Sequence, residues 1–322
     1  MERQIRSTIV IPNYNGIDYI EKCLYTLEGE PAHIIVVDNG STDGSRLVVQ
    51  EKFPQVQLIC LDQNYGFCKA VNIGIAEAET TYVILLNNDT EIKKGFVRAL
   101  EQPLEQHPEV FSGSAQMRNL QKPGLMDDAG DYYCALGWAF ALGKDKPAQY
   151  YQQKRRIFAA CGGAAIYRRK VFDEIGLMDE NHFAYLEDID LGYRARINGY
   201  DNMYIPEAVV YHAGSGASGS RYNSFKVALT AKNSIYLIYK NMPPAQILLN
   251  LPFLCVGFAV KTAFFIKQGL GSTYLKGLCK GVALCLSEEG RSHRVRFDID
   301  RLYSYIFIQL ELWRNIWYRL QG

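Results

Sequence analysis

Four short apolar runs, each closed by a polar cluster, constrain this chain more than any other feature. STIVIP (7–12), HIIVVDN (33–39), VQLICL (56–61) and TYVILLNND (81–89) read as buried strands from their continuous Val, Ile and Leu content. The intervening segments 20–27, 45–53 and 68–78 have helical spacing. Strand and helix alternating at this interval predict a parallel sheet covered on both faces. Ligands of such sheets bind beyond the carboxyl ends of the strands. The clusters at those ends, PNYN, DNGSTD, DQNYGF and NND, therefore predict one shared ligand crevice.

Farther along, residues 112–160 read as loop-rich, with acids and aromatics that include Asp127, Asp128, Asp131, Tyr132, Tyr133 and Trp138. A strand (161–169) and a helix (170–176) should follow, then a helix starting near Glu187 and stopping at Gly199. Residues 202–212 are extended in pattern, and a glycine-rich loop leads to a helix over roughly 221–240.

The composition, 48% hydrophobic and 21% charged, supplies a large core and excludes disorder, collagen and coiled coil. The net charge of +1 hides a split. Residues 1–207 carry 21 basic and 29 acidic side chains, net −8, whereas 208–322 carry 14 and 5, net +9. Within 208–287 there are eight Lys/Arg and no acid, which calls for an anionic partner. Nucleic acid is not expected, because the basic residues alternate with Phe and Leu runs rather than with exposed aromatics on a polar sheet.

Residues 242–260 hold no charge and are flanked by Lys240 and Lys261. That length is marginal for a membrane span, and Pro243, Pro244, Pro252, Gln246 and Asn250 argue against a straight spanning helix. With Lys261, Lys267, Lys276 and Lys280 following, the pattern predicts helices lying on an anionic membrane surface. Burial as a helical hairpin, a homo-oligomer interface and a true span are the alternatives. Eight cysteines without a CxxC pair predict reduced thiols and a cytosolic compartment, and MERQIRSTIVIP does not read as a secretory signal. The expected location is cytoplasmic and peripheral, at the inner face of the cell membrane.

Six ordered motifs carry a resemblance: VIPNYN (10–15), VVDNGSTDGS (36–45), NYGFCKAVNIGI (64–75), LLNNDT (85–90), GLMDENHFAYLEDIDLGYRARINGY (176–200) and YIPEAVVYHAG (204–214). Over roughly 5–235 the chain resembles the inverting glycosyltransferases of family 2, and most of all their bacterial rhamnosyltransferase-like branch. The resemblance implies an α/β protein of the GT-A (nucleotide-diphospho-sugar transferase) fold, with a mostly parallel central sheet flanked by helices. A GT-A domain is expected over 1–235, and a C-terminal helical, membrane-associating or oligomerising region over 236–322. The implied reaction moves a sugar, rhamnose in that branch, from a UDP- or dTDP-sugar to a glycan or lipid-linked acceptor of surface polysaccharide.

By the same resemblance, Asp38 faces the nucleobase or ribose, with turn capping as its structural alternative. Pro12, Asn13 and Tyr14 wall the base, while Asn64, Gly66, Asn72 and Asn88 shape the donor site. The family's Asp-x-Asp metal motif reads Asn87-Asn88-Asp89 here, so Asp89 with His212 would hold Mg²⁺ or Mn²⁺. Asp188 takes the place of the general base, at a helix N-terminus that favours its ionised form. Glu187, Asp190 and Arg194 are implied as supporting or acceptor-side groups. The alternative for this cluster is an N-terminal cap with salt bridges to Arg194 and Arg196.

Gly214–Gly219 matches G-x-G-x-x-G, but no acid follows within 208–287 to take a ribose, so a dinucleotide site is not expected. That loop is read instead as a cover over the donor diphosphate. Two rival functions remain at this level. A nucleotidyltransferase should carry a glycine-rich basic loop after the first strand, where PNYNG has none. A non-catalytic nucleotide-binding membrane scaffold would explain the lost metal-motif Asp but not the intact Glu187-Asp188.

Overall fold

The computed structural model describes residues 5–214 and 222–321. The first half follows the predicted alternation: β1 (Ser7–Asn13), α1 (Ile20–Thr26), β2 (Ala32–Asp38), α2 (Ser45–Lys52), β3 (Gln57–Cys60), α3 (Phe67–Glu77) and β4 (Tyr82–Leu86). Strands β3, β2, β1 and β4 lie side by side and parallel, with Asn13 level with Asp38 and Asp38 level with Cys60. Their polar ends therefore open at one edge of the sheet.

The second half departs from the expected loops. It contains β5 (Thr90–Ile92), α4 (Phe96–Gln106), β6 (Val110–Asn119), β7 (Met126–Asp128), β8 (Asp131–Cys134), β9 (Trp138–Ala141), β10 (Arg155–Ile157) and β11 (Ala164–Arg168). Residues 112–160 thus hold short paired strands between loops, where the sequence read only as loop-rich. Their strands are three or four residues long apart from β6, too short to show alternation in the sequence. The helix expected over 170–176 is a single 3₁₀ turn followed by α5 (Phe172–Ile175).

Next come α6 (Glu187–Ile197) and β12 (Asp201–His212). The main sheet runs β10-β12-β6-β11-β4-β1-β2-β3, with β5 beside β12 and β7 beside β6. Only the β1–β4 half and the β12–β6 pair are parallel; β11 enters antiparallel between β4 and β6. Six of the ten strands, β3, β2, β1, β4, β6 and β12, therefore run in one direction, as expected of a mostly parallel sheet, and β5, β7, β10 and β11 run against them. Apolar cores cover both faces, one including Ile9, Val36 and Ile84 and the other Val10, Val37 and Leu85. These are alternate residues of the same strands, as the two-residue period requires.

The remaining helices are α7 (Ser224–Asn241), α8 (Pro244–Lys267), α9 (Gly271–Leu286), α10 (Glu288–Ser292) and α11 (Leu302–Gln321). The domain boundary expected at 235/236 falls inside α7. Leu237, Leu254, Ile308 and Leu312 beyond that boundary share one core with Ile189 and Tyr193 of α6. The prolines do not break α8 either. Pro243 precedes it, Pro244 occupies its first turn, and Pro252 costs one backbone bond, to Leu248, which is 71% exposed. Gln246 and Asn250 are its buried hooks. Gln246 Oε1 accepts from the Tyr193 hydroxyl at 2.6 Å, and Asn250 trades hydrogen bonds with Gln309 at 2.8 Å. Among the described residues α8 is the one helix long and apolar enough to cross a membrane, and only 17% of its apolar window is buried.

Candidate active site

A crevice of about 1850 Å³ opens at the carboxyl ends of β1, β2 and β4, as the polar clusters predicted. Asn13 ties these ends together. Its amide nitrogen donates to Asp38 Oδ1 and Ser45 Oγ, both at 2.9 Å, and its Oδ1 accepts from Asn88 Nδ2 at 2.7 Å. Gly16 lies against this junction: a Cβ there would come within 2.1 Å of Asn88 Nδ2. Pro12, Tyr14 and Asn88 line the crevice, and Tyr14 is exposed. Asn64 Oδ1 accepts from Asn39 and from the Gly66 backbone, closing the rim.

Two of the implied donor residues are turned away from this space. Asp38 is fully buried and its carboxylate is already engaged by Asn13, the Ser41 amide and Arg46, at 2.8 Å to the guanidinium. Burial alone would raise its pKa, but hydrogen bonds from Ser41, Arg46 and Asn13 hold it below the ordinary carboxylate range. As folded, it organises the β2 loop and presents no free acceptor to a base. Asn72 brackets Met178, donating to its carbonyl at 2.8 Å and accepting from its amide at 3.1 Å. It fastens α3 to the segment before α6 and does not shape a diphosphate loop. The predicted glycine cover, residues 215–219, lies outside the described residues.

At the opposite lip Asp89 and His212 come together, with His212 Nε2 3.2 Å from Asp89 Oδ1. Behind them Asp127 Oδ2 accepts from His212 Nδ1 at 2.8 Å and also pairs with Lys144. Burial alone would lower the imidazole pKa, but the bonds to Asp127 and Asp89 carry it up to about 9. A divalent cation here would replace the proton between His212 Nε2 and Asp89, leaving one carboxylate and one neutral imidazole whose Nδ1–H is held by Asp127.

The deepest part of the crevice holds Asp128, Asp131, Glu187 and Asp188. Helix α6 enters through a turn with Phe183, Tyr185 and Leu186 at φ of 65°, 71° and 68°, a left-handed region that side chains disfavour. Asn233 of α7 pins that turn, its amide donating to the carbonyls of His182, Ala184 and Tyr185 at 3.0, 2.9 and 2.7 Å. Asp188 Oδ1 accepts from the Ile189 amide at 2.7 Å. A hydrogen bond joins Asp188 to Asp131, at the start of β8.

Desolvation raises the Asp188 pKa, and the bond from Asp131 opposes that rise. Asp131 is pushed further up, by burial and then by the charges of Asp128 and Asp188. The two carboxyls titrate as a coupled pair, with Asp131 held up by burial and by the charges of Asp128 and Asp188, and Asp188 eased back down by the bond from Asp131. Burial outweighs the groups that favour ionisation of Asp188, which are Asp131 first and then the backbone N–H groups at the start of α6. Burial also lifts Glu187 to about 8 and Asp128 to about 7, each aided by neighbouring acids. The side-chain atoms of Asp128, Asp131 and Cys161 lie within 4.8 Å of one another.

Asp190 and Arg194 do not reach the crevice. Asp190 is wholly buried on the far face of α6, paired with Arg194 at 2.9 Å and with Lys240 at 2.9 Å. Arg194 also donates to the carbonyls of Ile175, Gly176 and Leu177. Both hold α6 in place, so they belong to the support and not to an acceptor surface. Arg196 pairs with Glu311 of α11. The sequence reading missed Asp131, Asp127 and Asn233. The density of acids at 127–131 in an apolar, aromatic stretch was the signal for the first two, and Asn233 left none.

The model of glycosyl transferase family 2 matches residues 8–176. The chain belongs to this family. As a family 2 glycosyltransferase it aligns over 239 residues, at 27% identity, with the N-acetylglucosaminyl-diphospho-decaprenol L-rhamnosyltransferase of Mycobacterium tuberculosis, covering 66% of this chain and 77% of that protein. Its fold is shared with GalNAc-T7, solved with UDP, GalNAc and Mn²⁺ (TM-score 0.58, 17% identity, 74% of this chain and 48% of that one). It is shared also with the mannosyltransferase PcManGT of Pyrobaculum calidifontis, solved with GDP-Man and Mn²⁺ (TM-score 0.53, 17% identity, 90% and 83%). The architecture is GT-A, and the enzyme is a glycosyltransferase.

Proposed function

We propose that this glycosyltransferase inverts the anomeric centre, with Asp188 as general base, and moves rhamnose or a related sugar to a lipid-linked acceptor of surface polysaccharide. The Asp131–Asp188 pair, at the floor of the same crevice that Asn88 and Asp89 enter, carries the reading. The acceptor hydroxyl oxygen attacks the anomeric carbon and its proton passes to Asp188. The bond from that carbon to the diphosphate breaks, and its electron pair leaves with the nucleoside diphosphate. A Mg²⁺ or Mn²⁺ held by Asp89 and His212 would neutralise the leaving diphosphate. The name of the mycobacterial relative supports the rhamnosyl donor and the lipid-diphosphate acceptor. A transfer assay over UDP- and dTDP-sugars with a lipid-diphosphate-sugar acceptor tests the whole; no transfer and no hydrolysis of any donor would sink it.

Asp131 tunes the base rather than acting as one. Asp131→Ala removes the bond that lowers the Asp188 pKa, so Asp188 protonates at higher pH. The acid limb of the pH profile of kcat/KM should shift upward, and an unmoved limb would remove Asp131 from this role. Asp89→Ala should abolish divalent-ion dependence together with transfer, and full activity of the wild type in chelator would refute the metal assignment.

The enzyme is further proposed to sit peripherally on the cytoplasmic membrane face. Leu248, Leu249, Val256, Phe307, Leu310 and Trp317 leave α8 and α11 with exposed apolar faces. Purified protein should float with anionic vesicles at low salt and be released as salt passes the screening range. Flotation indifferent to salt and to anionic lipid would indicate a span instead. Lys261 is better excluded from this surface, because it faces the crevice.

A further inference from the structure

The crevice does not end at Asp188. It continues along the β8–β9 hairpin to Trp138, where helices α8 and α11 close over it. Lys261 Nζ lies 5.9 Å from the centroid of the Trp138 ring. Arg319 Cζ lies 5.9 Å from the same centroid and 5.8 Å from that of Phe140. Arg319 repels Lys261, and among the described residues no carboxylate offsets it. Burial, and then Arg319, bring the Lys261 ammonium down to about 8. Two like charges gathered on one aromatic platform are an arrangement that an anion would relieve.

The same crevice holds the carboxylates of Asp131 and Asp188. Asp131 stands level with Ala141 in the hairpin and Cys134 with Trp138, so one hairpin carries both the acid and the aromatic platform. Val260, Phe264, Phe265 and Tyr274 line the crevice as well. Residues 260, 261, 264 and 265 share one face of α8, since side chains three and four apart are neighbours on a helix. Beyond them Val256 and Ile266 are exposed. The hairpin holds α8 through Trp138 Nε1, which donates to the Gly257 carbonyl at 3.1 Å.

Carboxylates, two cations and hydrocarbon gathered in one crevice match the chemical parts of a sugar diphospho-lipid. We propose that Lys261 and Arg319 bind the diphosphate of such an acceptor, with its first sugar held at Asp188 and its lipid leaving along α8. This rests on the glycosyl-transfer reading. The donor's diphosphate belongs to other elements, at the ends of β4 and β12 where Asp89 and His212 meet.

Farnesyl diphosphate, inorganic pyrophosphate and farnesol serve as probes for calorimetric binding to the full chain, with UDP and dTDP measured separately. Farnesyl diphosphate should bind more tightly than either fragment. Lys261→Gln and Arg319→Gln should each weaken it about tenfold, the worth of one charge-assisted hydrogen bond, while leaving the nucleotide affinity and the melting temperature as in the wild type. Unchanged farnesyl diphosphate binding in the double variant would overturn the proposal. Equal losses of farnesyl diphosphate and nucleotide would also overturn it, by assigning the pair to the donor. Failure of the wild type to bind any nucleotide counts against the glycosyl-transfer reading itself, and so separates the two failures.

Discussion

Asp188→Asn should lower sugar transfer by about two to four orders of magnitude, the usual worth of a positioned general base, with donor affinity nearly unchanged. The substitution keeps the shape of the side chain and its place at the start of α6. An amide can still accept from the Ile189 N–H, so the local backbone is not the variable. What disappears is the proton acceptor. The measurement is kcat with saturating donor and acceptor, alongside nucleotide binding. Transfer near the wild-type rate would take the role from Asp188. Glu187, whose own pKa is lifted to about 8 by burial and by Asp188, would be the carboxylate to examine next.

The residues that were legible in the sequence share a physical property. Strands β1, β2 and β4 announce themselves because their central positions are buried on both faces and apolar, so the polar ends stand out. The crevice, Asp89, His212 and Asp188 follow from those ends and from ordered motifs. The short hairpin strands could not be seen, since three or four residues do not establish a period. Buried polar groups were misjudged for a related reason. Gln246 and Asn250 read as arguments against a straight spanning helix, and Asp38, Asp190 and Arg194 as groups facing a ligand. All five bond to other parts of the protein, such as Gln309 for Asn250 and Lys240 for Asp190, with only Gln246 Nε2 left without a partner. Sequence shows that a polar residue is present, whereas only the fold shows whether its partner is the protein or a substrate. Lys261 is the reverse case: its place in a basic, apolar segment suggested lipid, but the chain folds it over Trp138.

The other large effect concerns the support beneath α6. Lys240 Nζ lies 2.8 Å from Asp179 Oδ2 and 2.9 Å from Asp190 Oδ2, with all three side chains at most 4% exposed. Lys240→Met fills the same space but leaves two carboxylates competing for too little positive charge. Asp190 keeps Arg194 and Asn241, whereas Asp179 keeps only neutral donors such as the Tyr236 hydroxyl at 2.8 Å. Breaking a buried pair from one side costs about 3–5 kcal/mol, a large part of the stability of a typical domain. The denaturant midpoint should fall accordingly, and Asp179→Asn in the same chain should restore part of it by removing the stranded charge. Burial alone would raise both carboxyls, but Lys240 foremost pulls them below the ordinary range. Groups lowered in this way stabilise the fold above about pH 4, where the unfolded carboxyls are ionised, and that stability is lost as pH falls through the folded values. His182 adds to the same slope. Burial brings it down to about 4, so the unfolded chain takes up its proton first, from about pH 6.5 downward. Glu187 and Asp128, raised to about 8 and about 7, take up protons in the fold first and oppose His182 over this range, so the wild type should show its steep loss only below about pH 4. In Lys240→Met the lower part of that slope should flatten, because the carboxyls no longer titrate below their unfolded values. An equally steep acid limb in the variant would show that Lys240 does not set their ionisation.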